Sequence, residues 1–471
     1  MTVMVVAVLL IESAVFFVTF AFLLHSDGTS GSVLFDRMTE SGAALLLSVC
    51  CMAALYYTEL YNLSKVRSFR VCLVRVIPAC AIAMLPAGLV LFVTYPNGTS
   101  IWQGVAAALA VMLTTALISR CVWYHLMLSR PFTEHVVVLG KTSLAQAIEA
   151  ELRTRPNYRI LSDVQDRLNR VHKEESAIPQ LPERRWTDDV IRPTRIVVAM
   201  SERRGCVPVE MLLDAKRQGI IIEDGITHYE RLTGKLAIET VKPSQLIFAP
   251  EFSTALVHGW IGRGVSFFVA SLGVVFCAPL LGLIAVLVKL DSPGPILFVQ
   301  DRVGKDGRRF QLMKFRTMAP IEGPQSERSE WVKDNGDRIT RVGRWLRKFR
   351  LDELPQLLNV LSGHMNLVGP RPHPASNYQL FMTNIPFYAF RSLVRPGITG
   401  WAQVRYGYAN NLAEETEKMR YDLYYIKHRS FGLDLEIMLR TTKVVALGRE
   451  VKPEGESAVS EPVFNERTDA A

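Results

Sequence analysis

Long uncharged runs dominate the first 130 residues and set the first constraint on the fold. Residues 3–24 are mostly apolar with Glu12 as their only charge, and residues 42–58, 76–95 and 101–119 carry no charge. Each run is close to the ~20 residues that cross a bilayer as a helix, an element that satisfies its own backbone polar groups in lipid. A cleaved leader is a poor reading of the first run, because no basic segment precedes it. Lys65, Arg67 and Arg70 lie between the second and third runs, and Arg120 and Arg130 follow the fourth. The intervening loops, 25–41 and 96–100, offer only Arg37 as a basic residue. The positive-inside bias therefore places both ends of a four-helix transmembrane bundle in the cytoplasm. Glu12 reads either as a functional intramembrane carboxylate or as an ordinary helix contact.

A fifth uncharged run, Val265 to Val288, has Pro279 near its middle. A fifth crossing would put everything after Lys289 outside the cell. Residues 289–350, however, hold 15 Lys or Arg against 8 Asp or Glu, so the most basic segment would lie on the disfavoured side. A helix over about 263–289 that enters the membrane, breaks at Pro279 and returns keeps both flanks cytoplasmic. Proline supplies the break by removing an N–H and crowding the preceding turn.

Between these apolar regions, residues 131–250 read as an α/β unit. HVVVLG (135–140), RIVVAM (195–200) and GIIIED (219–224) are strand patterns, and 144–152 is helical. The arrangement is that of half a Rossmann-like nucleotide-binding sheet. Gly140-Lys141-Thr142-Ser143 lacks the GxGxxG that admits a pyrophosphate, so a structural or regulatory spacer is the plainer reading. Residues 450–471 hold six acidic and two basic residues without apolar period, a disordered tail by composition.

The 471 residues are 49% hydrophobic with a formal charge of +9, a surplus that suits nucleic acid, anionic lipid or phosphorylated substrates. Seven cysteines form no CxxC and nine histidines form no HxxxH, so thiolate and imidazole metal motifs are absent. Phosphate-handling residue types gather after Asp291. Phe298–Arg302 and Arg309–Arg316 read as a hairpin around Asp306-Gly307, lined by Arg302, Lys305, Arg308, Arg309, Lys314 and Arg316. Such a cluster suits phosphate oxygens, and equally a lipid-facing surface. In LDELPQLLNVL (351–361), Leu351, Leu354, Leu358 and Leu361 form a stripe at helical spacing. Asp352 and Glu353 then sit at the helix start, off the buried face. They serve either the helix dipole, or as a nucleophile on phosphorus beside a magnesium ligand, with Arg347 and Arg350 offsetting their charge. GPRP (369–372) and RPGITGWAQV (395–404) present Arg371 and Arg395 on rigid turns, fitting a diphosphate clamp or turn chemistry alone. The segment 421–441 reads as an amphipathic helix.

DSPGPILFVQDRVG, KFRTM, LDELPQLLNVL, VGPRP and RPGITGWAQV, in this order, resemble the bacterial sugar transferases, the monotopic polyprenyl-phosphate phosphoglycosyl transferases. The resemblance is dense over about 260–445, and the preceding membrane helices and α/β unit are similar to the family's long form. ERLTGK, QVRYGY and YDLYYIK resemble its exosortase-associated exopolysaccharide subgroup. The resemblance implies a membrane protein of mixed class. Its parts are a four-helix transmembrane domain (1–130), a Rossmann-like domain (131–250), and a monotopic α/β catalytic domain (251–449) with a re-entrant helix hinged at Pro279. It implies transfer of a hexose 1-phosphate from a UDP-sugar to undecaprenyl phosphate with release of UMP, initiating exopolysaccharide synthesis at the cytoplasmic face of the bacterial inner membrane. Asp352 would be the covalent nucleophile and Glu353 the Mg²⁺ ligand. Lys314, Arg316, Arg347, Arg371, Arg395 and Asp422 would serve the substrates. Membrane lipid and downstream glycosyltransferases are the implied partners, and homo-oligomerisation stays open. Ala278, Ser266, His364, Asn366 and Arg405-Tyr406 depart from the family pattern.

A membrane-bound nucleotide-sugar dehydratase would need GxGxxG and YxxxK on the α/β unit, and neither occurs in 131–250. A non-catalytic component of a polysaccharide synthesis or export complex is the alternative, and it would tolerate loss of Asp352 and Glu353. Nucleic acid is the weakest partner, since its basic stripe would have to lie outside the membrane interface.

Overall fold

A computed structural model describes residues 2–26, 33–61, 69–94, 101–128, 133–155, 157–162, 192–200, 209–238, 240, 256–319, 338–407, 409 and 411–448. The tail 450–471 and the basic residues Lys65, Arg67 and Arg130 lie outside the described residues. The chain divides into two compact units, the first containing the N-terminal helices and the second everything from Ile196 onward.

The N-terminal helices are α1 (Thr2–Ser26), α2 (Val33–Tyr57), α3 (Phe69–Thr94) and α4 (Ile101–Leu128). Helix α1 packs on α2 and α4, and α3 packs on the same two. Small residues such as Ala44, Ala54, Ala79, Ala83 and Ala116 are buried, which lets helix backbones approach closely. Leu10, Val18, Ile77, Leu89 and Ile118 instead face outward, each 64–65% exposed. Large apolar side chains facing outward suit a lipid environment rather than water. Val105–Val122 and Gly259–Asp291 are long and apolar enough to cross a membrane, and Val8–Phe22, Ser41–Tyr57 and Val74–Val90 are shorter apolar stretches. The protein is a membrane protein of mixed helix and sheet. Glu12, fully buried, pairs with Arg120 at 2.6 Å and accepts the Ser119 hydroxyl at 2.5 Å. Arg120 also donates to the Leu60 carbonyl at 2.9 Å, so this buried carboxylate ties α1 to α4 and, through Arg120, to the turn after α2.

In the α/β region the strands β1 (Glu134–Leu139), β2 (Tyr158–Ile160), β3 (Arg195–Val198) and β4 (Ile221–Asp224) are ordered β2-β1-β3-β4. Helices α5 (Ser143–Arg153), α6 (Val209–Arg217) and α7 (Gly225–Thr233) accompany them. Thr142 Oγ1 donates to the Ala199 carbonyl at 2.7 Å, so the turn after β1 is tied to the end of the neighbouring strand. After α7 the chain joins the C-terminal core. Leu236 and Ile238 are buried with Trp401, Met419 and Tyr425. Trp401 Nε1 donates to the Gly234 carbonyl at 2.9 Å, and Glu230 accepts from Lys427 and His428 at 2.9 Å each.

Helix α8 (Leu256–Asp291) runs 36 residues. Pro279 lies inside it, where it removes one helical N–H and crowds the preceding turn without ending the element. Both of its arms bond the same C-terminal body. On one arm, Arg263 donates to the Met365 carbonyl at 3.0 Å, and Ser266 Oγ accepts from the Leu367 N–H at 3.2 Å. On the other, Ile284 and Val288 are buried with Phe315 and Leu346, and Asp291 accepts from the Val342 N–H at 3.0 Å. Between the arms Val275 is 70% and Phe276 78% exposed.

Beyond α8, strands β5 (Leu297–Val303) and β6 (Arg309–Phe315) form the antiparallel hairpin, with Phe298 opposite Lys314 and Arg302 opposite Phe310. Helices α9 (Arg341–Lys348) and α10 (Gln356–Leu361) follow. The parallel pair β7 (Asn366–Val368) and β8 (Gly397–Thr399) flanks helix α11 (Ala375–Asn384) in sequence. Helices α12 (Trp401–Arg405), α13 (Leu412–Lys427) and α14 (Phe431–Leu447) close the body. Asn411 and Ser430 cap α13 and α14 by accepting backbone N–H bonds at 2.8 and 3.3 Å, which satisfies donors that a helix start leaves open.

Candidate active site

Asp352 and Glu353 lie in a short 3-10 turn, Leu351–Glu353, between α9 and α10. Periodicity implied one helix from Leu351 with these carboxylates off its buried face. The chain does otherwise. Arg350 adopts a left-handed backbone (φ 52°), which restarts the chain direction after α9, and Pro355 separates the turn from α10. As a result Asp352 is 9% and Glu353 6% exposed, whereas Leu358 is 43% exposed. The polar residues face inward and a leucine faces out. Buried Asn359 anchors the segment to β6, accepting from the Met313 N–H at 3.0 Å and donating to the Gln311 carbonyl at 2.7 Å.

Cations from three further elements reach the pair. Arg371, in the GPRP loop after β7, bonds Glu353 at 3.0 and 3.3 Å, and Arg350 lies 3.6 Å from it. Arg302 of β5 donates to the Pro372 carbonyl at 3.0 Å, which brings the hairpin to the same loop. Lys314 of β6 lies in the field of Arg302, Arg371 and both carboxylates. Burial, then Arg302 and Arg371, lower its pKa to about 8. Arg347 Nε donates to Thr317 Oγ1 at 2.9 Å, and its charge also acts on Asp352.

The two carboxylates are driven apart. Burial, then the neighbouring Glu353, push Asp352 upward against Lys314, Arg371 and Arg347. Burial alone would raise Glu353 too, but Arg371, Arg350 and Lys314 outweigh it and hold it below the usual range. Glu353 is clamped by guanidinium groups. No hydrogen bond holds the Asp352 carboxylate among the described residues. Adjacent acids with opposed shifts are the pattern by which a site assigns two roles to like groups.

Asp422 of α13 is 1% exposed and acts one step removed. It accepts from Arg391 Nε at 2.8 Å, and Arg391 also donates to the Arg371 backbone carbonyl. That chain of bonds fixes the loop carrying the Glu353 clamp. Next to it His373 lies 2.7 Å from Glu415, and burial, then Arg391, lower the imidazole to about 3, so it stays neutral. At Gly397 a Cβ would come within 2.1 Å of the Gly369 nitrogen, so glycine permits the β7 and β8 ends to touch there.

Of the residues expected to serve substrates, Lys314, Arg347 and Arg371 gather at the pair, with Asp422 supporting Arg371. Arg316 and Arg395 are placed differently. Arg316 donates to the Ser292 carbonyl at 2.7 Å and hydroxyl at 3.0 Å, holding the turn after α8. Arg395 donates to the Gly363 carbonyl at 3.1 Å. Arg391, absent from the expected set, is central, but a lone arginine in FRSLV carries no motif signal. Among the described residues no group of three or more His, Cys, Asp or Glu is placed to hold a metal.

Residues 257–448 match a family profile described as bacterial sugar transferase. The chain is 41% identical over 219 residues to a UDP-N-acetylgalactosamine-undecaprenyl-phosphate N-acetylgalactosaminephosphotransferase of Aeromonas hydrophila, covering 46% of this chain and 51% of that protein. It is 38% identical over 196 residues to a UDP-glucose:undecaprenyl-phosphate glucose-1-phosphate transferase of Escherichia coli K12, covering 41% of this chain and 42% of the relative. An exopolysaccharide production protein of Rhizobium leguminosarum bv. phaseoli is 41% identical over 184 residues, which are 38% of this chain and 92% of that protein. The chain belongs to the bacterial sugar transferase family. It spans about half the length of the first two relatives.

Proposed function

We propose that the chain transfers a hexose 1-phosphate from a UDP-sugar to undecaprenyl phosphate, releasing UMP, as the initiating step of exopolysaccharide synthesis. The observation that carries this reading is the buried Asp352, whose carboxylate no hydrogen bond holds among the described residues and on which the charges of Lys314, Arg371 and Arg347 act, beside a Glu353 that Arg371 clamps. An Asp352 carboxylate oxygen attacks the β-phosphorus of the UDP-sugar. The new O–P bond forms as the bond from that phosphorus to the bridging oxygen breaks, and UMP departs with the electron pair. An oxygen of the polyprenyl phosphate then attacks the same phosphorus and displaces the aspartate as carboxylate, leaving a polyprenyl diphosphate sugar. Lys314 and Arg371 offset the charge that gathers on phosphoryl oxygens, for which arginine forks and lysine point charges are suited.

Glu353, with Asp352 beside it, would hold a magnesium ion, which needs only one or two protein acids. Bound there, the ion would supply Lewis-acid neutralisation of the diphosphate.

Re-entry of α8 is part of the proposal. A 36-residue helix is about 54 Å long, against a hydrocarbon core of about 30 Å. Both of its arms bond one C-terminal body, which supports insertion and return over crossing. With α1–α4 as a four-helix bundle, the site then faces the cytoplasm at the inner membrane. The segments ERLTGK, QVRYGY and YDLYYIK favour the exosortase-associated subgroup, whose product passes to downstream glycosyltransferases.

The test is UMP release from protein held in nanodiscs, given UDP-glucose or UDP-galactose with undecaprenyl phosphate and Mg²⁺. A single-turnover burst from UDP-sugar alone, followed by sustained release that needs the polyprenyl phosphate, with both lost in Asp352→Asn, supports the reading. Equal release from mutant and wild type overturns it.

A further inference from the structure

Beside the acidic pair lies a cavity of about 180 Å³ that the chemistry above does not use. Leu354, Leu357, Val404 and Val445 supply apolar wall, and Arg350 and Glu353 line it as well. We propose that this cavity seats the phosphate-bearing isoprene unit of the polyprenyl phosphate acceptor. The inference rests on the transferase reading and adds where the second substrate is recognised.

The size is right for one small apolar group. An apolar cavity of about 150 Å³ holds a benzene molecule, so about 180 Å³ takes a five-carbon unit with some room, and not a long chain. The wall chemistry is right for an amphiphile in which a phosphate sits one bond from that unit. A uracil or sugar ring would meet Thr399, Gln403 and Thr441 on part of the wall but leave most of its polar edge against leucine and valine, at a desolvation cost the lipid avoids. Position agrees as well. Leu351 and Glu353, the residues on either side of Asp352, both line the cavity, so it opens beside the turn that carries Asp352. The rest of the chain has an apolar path. Leu358, beside the wall residue Leu357, is 43% exposed. On α14, which contributes Val445, Phe431 is 56% and Leu439 47% exposed.

Val445 belongs to the wall and to no step of the reaction, so filling its space tests the cavity. The full chain in nanodiscs is assayed twice: for the single-turnover burst of UMP from UDP-sugar alone, and for steady-state transfer to undecaprenyl phosphate. Val445→Phe is expected to raise the KM for undecaprenyl phosphate at least tenfold while the burst stays within twofold of wild type. Val445→Leu, a smaller intrusion that packs more easily, is expected to raise it about threefold, which keeps the test alive if the phenylalanine variant does not fold. An unchanged KM in the folded variants overturns the proposal. So does a burst reduced in step with transfer, which would assign the cavity to the nucleotide sugar. A KM effect that follows the acyl chains of the nanodisc phospholipid, at fixed polyprenyl phosphate, overturns it in favour of bulk lipid. Absence of a burst in the wild type would count against the transferase reading itself, not against the cavity.

Discussion

Lys314 should set the alkaline limit of the reaction. Burial and the charges of Arg302 and Arg371 bring its pKa to about 8 in the free protein, from an ordinary 10.5. Its charged fraction then falls from about 90% at pH 7 to about 10% at pH 9, so a reaction that needs the ammonium loses about ninefold in kcat/KM across that interval. In kcat the same limb should lie at higher pH, because a bound diphosphate favours the charged lysine. The assay is initial-rate UMP release from pH 6 to 10, with Lys314→Arg and Lys314→Gln alongside. Arginine stays charged throughout, so the limb near pH 8 should disappear or move above pH 10; glutamine should give low activity without a limb there. Stability moves the other way. The folded pKa lies below the unfolded one, so between about pH 8 and 10.5 the unfolded state binds more protons, and this group's contribution to stability rises with pH. Activity lost while Tm holds or rises is therefore the expected signature. A limb unchanged in Lys314→Arg, or a Tm that falls in parallel with kcat/KM, would refute the reasoning.

Arg371→Ala leaves buried Glu353 without its nearest partner and should cost about 3–5 kcal/mol in denaturant unfolding. Because Arg371 also lowers Asp352, the acid limb of activity should move to higher pH in any folded fraction. Arg371→Ala/Glu353→Gln should recover most of the stability and none of the activity; recovery of activity would sink the clamp. Glu12→Ala strands Arg120 in the helical bundle and should cost about 3–5 kcal/mol, largely restored by adding Arg120→Leu, as read by thermal unfolding in detergent. Gly234→Ala places a Cβ 3.1 Å from the Trp401 ring at a residue with φ of 70°. It should cost about 1–2 kcal/mol with a shift in tryptophan fluorescence, and an unperturbed spectrum at full stability would argue against that docking contact.

Much of this architecture is legible in the chain because the signals are local. Uncharged runs of bilayer length, a turn at Asp306-Gly307 between alternating strands, and two acids followed by Pro355 each depend on a few neighbouring residues, and local hydrophobic and steric rules suffice to read them. Asp352 and Glu353 are therefore legible as a candidate pair. Their burial was not. Periodicity treats 351–361 as one helix, but the left-handed Arg350 and the interruption at Pro355 rotate the carboxylates inward and leave Leu358 outside.

Which cations serve the site was also beyond the one-dimensional pattern. Arg316 and Arg371 look alike in sequence, each within a basic, turn-rich stretch, yet Arg316 holds Ser292 and Arg371 holds Glu353. Arg391 had no motif around it and proves to join Asp422 to the Arg371 loop. Glu12 and Arg120 stand 108 positions apart and meet at 2.6 Å. Residue type and local spacing settle where apolar helices, turns and charged segments fall. Pairings between distant charges follow from how whole elements pack, since a buried charge takes whichever partner the packing brings within a few ångströms.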